Sequence, residues 1–442
     1  MAPVAQAARD GGRGGGVSEA QSSEPLPFRR SESAMPPASP EQRGALFTRS
    51  GVGGGAVPQM PNGRMWERPH PNPSPEGEGL RKYELRALTG MRGIAAWFVV
   101  LYHIRLSIAG LPPVWVGVFA KGYLAVDFFF LLSGFVIYLS WGERLRDGGL
   151  RAVPGFLWRR IARIWPLHLF MLGCAALLAL LLAALGRHDP VDYPFAELPL
   201  HILLLQNWGF TDHLAWNDPS WSISTEWAAY LLFPLLAFGI DWRRVPSWAV
   251  VGAIAAALVL LHALMADAPT LGTDIWTFGL RRCVIEFAVG SALCALWLRW
   301  RDAPARAVAA AVTVAGAMLA VRSAGAPETL TIPAAFAALL LALALASEWR
   351  GNLLNARAIH YLGEISYATY LGHFLLFVVF KLAFVDDAHA IPPILVALYL
   401  ALVLGSSLAL YHLVERPAQA WLNRLPIRWR GADPIQASAR SS

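Results

Sequence analysis

Of the 442 residues in this chain, 56% are hydrophobic and only 15% are charged, whereas a soluble domain is nearer a quarter charged. Too little polar surface is available to cover such a chain in water, which excludes an ordinary soluble globular protein. The formal net charge of +7 does not point to nucleic acid, because the basic residues sit in short breaks between apolar runs rather than on one phosphate-reading face.

Residues 1 to 80 are rich in Gly, Pro, Ser and Arg and show no apolar period, so a disordered leader is expected there. No signal-peptide core precedes Ile94, and Met60 or Met65 is a candidate for the true start. From residue 91 onward apolar runs alternate with short polar breaks. The roughly 17–25 residues that a bilayer requires are met near 91–109, 122–141, 165–186, 226–240, 246–266, 276–298, 306–322, 330–347, 361–383 and 391–413. The run 226–240 is short and is expected to begin earlier. The piece 198–206 is too short to span and reads as re-entrant or interfacial.

Loop charge supports an even count. With the N-terminus inside, the cytoplasmic breaks carry Arg144, Arg146, Arg151, Arg159, Arg160 and Arg163, then Arg243 and Arg244, Arg299 and Arg301, and Arg350 and Arg357. Beyond the last run follow Arg416, Arg424, Arg428 and Arg430. The opposite loops carry mostly acids, among them Asp189, Asp192, Asp218, Asp274 and Glu328, with Lys121, Arg187, Arg322 and Lys381 as exceptions. This positive-inside pattern predicts an all-α, polytopic membrane helix bundle of about 10 transmembrane helices in a cell (inner) membrane. Both termini are then cytoplasmic, the membrane domain covers 84–425, and a disordered tail occupies 426–442. Cys174, Cys283 and Cys294 lie inside apolar runs without metal or CxxC spacing, so they read as packing residues. No metal site is expected.

Ionisable groups within spans cost several kcal/mol and are functional candidates by default. Arg92 and His103 share a face of the first span, about 16 Å apart along its axis. The plain alternative is a snorkelling anchor and a packed histidine. Asp127 opens the second span and needs a cation or hydrogen-bond donors, while Ser133 and Gly134 suit close helix approach. Arg159 and Arg163 share a face beside Arg160 at the head of the third span. Their guanidinium forks suit phosphate oxygens, and equally a lipid-headgroup anchor. Trp221, Ser222 and Glu226 lead the fourth span, with Ser222 and Glu226 one turn apart. Arg281, Arg282 and Glu286 enter the sixth, where an arginine has the choice of Glu226 or Asp127. Ser366, Tyr370 and His373 line one face of the ninth, with His373 near the depth of His103, which suggests a polar cavity. Past the last span, Glu415 and Arg416 read as a local ion pair.

In this order these pieces resemble the acyltransferase-3 family of integral membrane O-acyltransferases. The resemblance covers residues 84 to 425 and rests on Arg92-x10-His103, Asp127 to Phe135, Arg159-Arg160-x-x-Arg163 with Pro166, Trp221-Ser222-x-x-x-Glu226, Gly363-x-x-Ser366-Tyr367-x-x-Tyr370-x-x-His373, and Glu415-Arg416-Pro417. Leu167-His168 departs from it, since the family commonly has a Tyr soon after the Pro. An esterase-like domain of the kind some members carry is not expected after residue 430. The resemblance implies transfer of an acyl group, usually acetyl from acetyl-CoA as co-substrate with no bound cofactor, to a hydroxyl of a carbohydrate or glycolipid acceptor. It implies His103 as the catalytic group. The reading built on it gives the phosphates of CoA to Arg159, Arg160 and Arg163, and lets Arg92 steer the donor or polarise its thioester. His103 acts as general base beside carboxylates such as Glu226, with direct transfer preferred over an acyl-enzyme. His373 or Tyr370 orients the acceptor or donates to the oxyanion. Asp127, Trp221, Ser222, Ser366 and Arg282 are support or acceptor residues. The rival class is a transporter or flippase for a glycolipid-like substrate, which would also place ionisable groups at mid-membrane. The absence of an internal repeat or a matched pair of broken helices argues against it.

Overall fold

The computed structural model describes residues 85–187 and 189–425. The expected leader, the starts at Met60 or Met65, and the tail over 426–442 lie outside the described residues.

Ten helices of 17 residues or more dominate the described chain. They are α1 (Arg86–Ile104), α3 (Ala125–Gly148), α4 (Val153–Ala184), α6 (Ser220–Gly239), α7 (Ser247–Leu264), α8 (Ile275–Trp300), α9 (Pro304–Ser323), α10 (Glu328–Leu345), α12 (Ser366–Phe384) and α13 (Pro393–Ala409). Shorter helices join them: α2 (Pro113–Phe119), α5 (Leu198–Ile202), α11 (Arg357–Glu364) and α14 (Arg416–Arg424), the last entered through a π-helical turn, Leu410–Glu415. Proline opens α2, α9 and α13, where its missing N–H has no intrahelical partner to lose. Gly149, at φ 56°, ends α3 in a conformation that costs a residue with a Cβ.

Among the described residues, eight stretches are long and apolar enough to cross a membrane, and one of them, Pro113–Ala184, runs through both α3 and α4. Helix α6 is left out because Ser220, Ser222, Ser224, Thr225 and Glu226 fill its first turns. The chain is therefore a multi-pass helical membrane protein. Apolar side chains on α7, α9 and α13, such as Val259, Val314 and Leu398, remain exposed. In a membrane protein such a surface meets lipid, where apolar exposure carries no penalty.

At the centre, α3 crosses α8 at glycines. A Cβ on Gly134 would lie 1.9 Å from the Phe287 carbonyl oxygen, and one on Gly290 would lie 1.9 Å from that of Leu131. Small residues allow this approach, and between helices in lipid dispersion packing replaces the hydrophobic effect as the driving force. Ser133, expected to serve the same approach, turns to hydrogen-bond α6 instead.

Several boundaries differ from the sequence expectation. The first helix is shifted towards the N-terminus, so His103 is the penultimate residue of α1 rather than the middle of a 91–109 span. The third helix starts at Val153, which makes the Arg159–Arg163 turn helical rather than part of a loop. The ninth span breaks at Ile365 between α11 and α12. Helix α6 does begin earlier than its apolar run, at Ser220. The 198–206 piece forms α5 and then a buried non-helical segment fastened to α6, where Ser224 Oγ donates to the Leu204 carbonyl and accepts from the Asn207 N–H.

Candidate functional site

The first turns of α1, together with α3, α4, α6 and α12, surround a cavity of about 130 Å³. Its wall follows α3 from Val126 to Ile137, a rise of about 16 Å. Both cations in the lining, Arg92 and Arg163, sit at one end with Ser366 and Tyr367 from the start of α12. Away from that end the lining includes Val126, Ser222 and Tyr370, the last being one helical turn along α12 from Ser366. Glu226 stands between them. It accepts hydrogen bonds from Ser133 Oγ and from Tyr230 OH, both at 2.5 Å. Ser222 Oγ and Tyr370 OH are 2.9 Å apart, linking α6 to α12.

The three arginines of the third long helix have different surroundings. Arg163 faces the cavity, lies over the Tyr367 ring and bonds to Glu415. Glu415 was expected to pair locally with Arg416. It is instead buried, on a π-helical turn that aims its side chain at α4. Arg160 is only 1% exposed and packs against the rings of Phe156 and Tyr230. Arg159 is half-buried and outside the cavity lining.

Beyond the far end lies a histidine pair. His373 Nε2 is 3.1 Å from His103 Nδ1, and the ring centroids are 5.0 Å apart. Tyr370 joins the pair to the cavity, with its ring centroid 6.2 Å from that of His373. The rings of Tyr102 and Phe374 meet His103 edge-on. The neighbours of His103 are thus imidazole, aromatic and main-chain groups and the Arg105 cation, which lies over the Tyr102 ring, rather than the carboxylates expected around it.

The question of which cation Asp127 meets is resolved at the α3–α8 crossing. Arg282 donates to Asp127 Oδ1 from Nε at 3.0 Å and from a terminal nitrogen at 2.7 Å, with both side chains essentially sealed from solvent. Glu286, one turn further along α8, is also fully buried. Trp221 packs over this group, with the Arg282 guanidinium 5.5 Å from its ring centre. Asp127, Arg282 and Trp221 are therefore grouped apart from the cavity, as a packed crossing.

The family model described as an acyltransferase domain matches residues 85–412. The chain belongs to the acyltransferase-3 family. The acyltransferase MdmB of Streptomyces mycarofaciens is 32% identical over 323 residues, which is 67% of this chain and 79% of that protein. Protein 2 in the picA locus of Rhizobium radiobacter is 40% identical over 106 residues, 24% of this chain and 51% of that one. A protein of Staphylococcus aureus strain COL, provisionally named an O-acetyltransferase, is 24% identical over 172 residues, 36% of this chain and 26% of its own length. No solved structure matches significantly.

As an acyltransferase-3 protein, the chain holds much of its motif in two adjoining places, with Asp127 and Trp221 set apart at the packed crossing. Arg92, Arg163, Ser222, Glu226, Ser366 and Tyr370 line the cavity, while His103 and His373 stand one helical turn beyond it. Tyr230 is a contributor that the sequence did not single out, while Ser133 and Glu415 were assigned to helix approach and a local ion pair and instead hold Glu226 and Arg163. Tyr230 had a signal available, since it lies at i+4 from Glu226 on one helix face. Glu415 stood out as part of Glu415-Arg416-Pro417, but its partner, 252 residues away, had no local signal.

Proposed function

We propose that this acyltransferase is an acyl-CoA-dependent O-acyltransferase that moves an acyl group, acetyl in the first instance, onto a hydroxyl of a sugar or glycan acceptor. The observation that carries the reading is the long cavity with two cations at one end and an imidazole pair next to the other. A CoA thioester has that shape in chemical terms, with phosphates at one end, a flexible arm and a reactive carbonyl.

In this reading the arginine end faces the cytoplasm of a cell (inner) membrane, as the loop charges favour, and both termini lie on that side. Arg163 and Arg92 take the anionic end of the donor; Arg159 adds positive charge one turn before Arg163, and the buried Arg160 backs that end through its packing on Phe156 and Tyr230. Tyr370 and Ser222 face the acyl carbonyl, where a hydroxyl is placed to donate to the oxyanion. Glu226, held by Ser133 and Tyr230, is an acceptor site for sugar hydroxyls. His103 removes the proton from the attacking hydroxyl as general base. The new C–O bond forms, the C–S bond breaks, and the thiolate recovers that proton from the imidazolium. The acyl group passes directly to the acceptor.

The test is mass spectrometry of glycans and lipids from cells with and without the chain, joined to CoA release from acetyl-CoA in their membranes. An acetyl-bearing species should be lost with the chain and restored by the wild type. His103→Ala should fail to restore it, with CoA release down by at least about 10³-fold and membrane insertion unchanged. CoA release that ignores the acceptor, or full activity of His103→Ala, would overturn the assignment. Movement of an unmodified glycolipid would indicate a transporter instead.

A further inference from the structure

Both histidines of the pair turn Nδ1 towards a main-chain carbonyl one helical turn back. His103 Nδ1 is 3.1 Å from the Val99 oxygen, and His373 Nδ1 is 3.1 Å from the Thr369 oxygen. A carbonyl oxygen only accepts, so each Nδ1 must carry the hydrogen. A neutral imidazole has one N–H and one lone pair, which leaves Nε2 of each ring as the acceptor. His373 Nε2 then faces His103 Nδ1 at 3.1 Å in a compatible sense, lone pair to N–H. The His103 hydrogen is shared between the Val99 oxygen and the His373 nitrogen, and the lone pair of His103 is confined to Nε2. Among the described residues no group hydrogen-bonds that Nε2, and His103 stays partly exposed while His373 is only 1% exposed.

We propose that His373 is a positioning residue which, by accepting the His103 Nδ1–H, fixes the tautomer that presents Nε2 of His103 as the base. The inference rests on the assignment of His103 as general base and adds the group that orients it. In many acid–base triads a carboxylate fills that place. Here the nearby carboxylates are engaged elsewhere, Asp127 by Arg282 and Glu226 by Ser133 and Tyr230. A neutral ring serves instead. When His103 Nε2 takes the acceptor proton, the Nδ1–H becomes part of a cation and its bond to His373 Nε2 strengthens. Charge is thereby stabilised without burying a carboxylate beside the acyl group. His373 is itself anchored from two sides, by the Thr369 carbonyl and by the Tyr399 hydroxyl, which donates to the His373 carbonyl at 3.0 Å.

The experiment uses the full chain in lipid nanodiscs with 15N-labelled histidine, His103 being assigned by the resonances missing from His103→Gln. Long-range 1H–15N correlation should show the Nδ1–H tautomer in the wild type. A wild-type His103 in the Nε2–H form overturns the proposal without recourse to any variant. His373→Phe, which keeps a ring but has no acceptor, should populate the Nε2–H form. It should also lower kcat for CoA release from acetyl-CoA by about 100-fold with the donor KM unchanged. His373→Gln, whose amide oxygen can accept the same hydrogen, should regain activity to within about tenfold of wild type. An unchanged tautomer with full kcat in His373→Phe sinks the proposal, as does equal loss in both variants with the tautomer unchanged. Full activity of His103→Gln would remove the general-base assignment itself. An inactive His103→Gln beside a fully active His373→Phe would remove only the positioning role.

Discussion

The α3–α8 crossing and the seam between α1, α4, α6 and α12 use the same ionisable residue types inside one bundle, yet one is filled and the other hollow. At the crossing, Gly134 and Gly290 bring two backbones together, and Arg282 closes on Asp127 with nothing left open to solvent. At the seam, Arg92, Arg163 and Glu226 face a cavity. Their partners hold them from behind: Glu415 lies behind Arg163, and Ser133 and Tyr230 hold Glu226. A charge at membrane depth is therefore not functional by its depth alone. What separates the two regions is whether protein atoms or empty space lie in front of the charge.

That contrast predicts opposite signatures for mutations in the two places. The largest effect is expected at the crossing. Asp127→Ala strips the Arg282 guanidinium of its two hydrogen bonds in a sealed site, and breaking a buried pair costs about 3–5 kcal/mol. A steep loss of melting temperature in detergent should follow, with the donor KM of surviving enzyme unchanged. A wild-type melting temperature would show that the pair is not the structural lock. Next comes Gly134→Ala. Its Cβ has no room beside the Phe287 carbonyl, so the helices must part, at about 1–3 kcal/mol, again read by thermal unfolding. The smallest free-energy change belongs to the seam. Arg163→Ala should raise the KM for acetyl-CoA about tenfold, equivalent to about 1.4 kcal/mol, and move kcat less. A selective loss of stability with an unchanged KM would transfer Arg163 to the structural class and break the comparison.

Much of the architecture was legible in one dimension. An apolar run long enough for a bilayer is a property of consecutive residues, and each expected run has a long helix in the structure. Helical phase was legible for the same reason. Ser366 and Tyr370 share the cavity-facing side of α12, and Ser222 and Glu226 share that of α6. Ends were less legible. Helix α1 extends back to Arg86, and the expected 361–383 run breaks at Ile365 between α11 and α12. At both places packing holds a helix whose composition alone does not mark where it stops. Gly363, for example, sits so close to α1 that a Cβ there would meet the Thr89 carbonyl oxygen at 1.8 Å.

By itself, then, the sequence determined that the chain is a many-helix membrane bundle, and which side chains share a face of each helix. Only the tertiary structure decided which faces meet. Arg282 takes Asp127 across 155 residues, Arg163 takes Glu415 across 252, and His103 meets His373 across 270. Each pairing depends on the rotation and tilt of two helices about each other. Those are set by close contacts such as Gly134 with Phe287 and Gly290 with Leu131, and by which helix lies between, and no periodicity within a single helix encodes them.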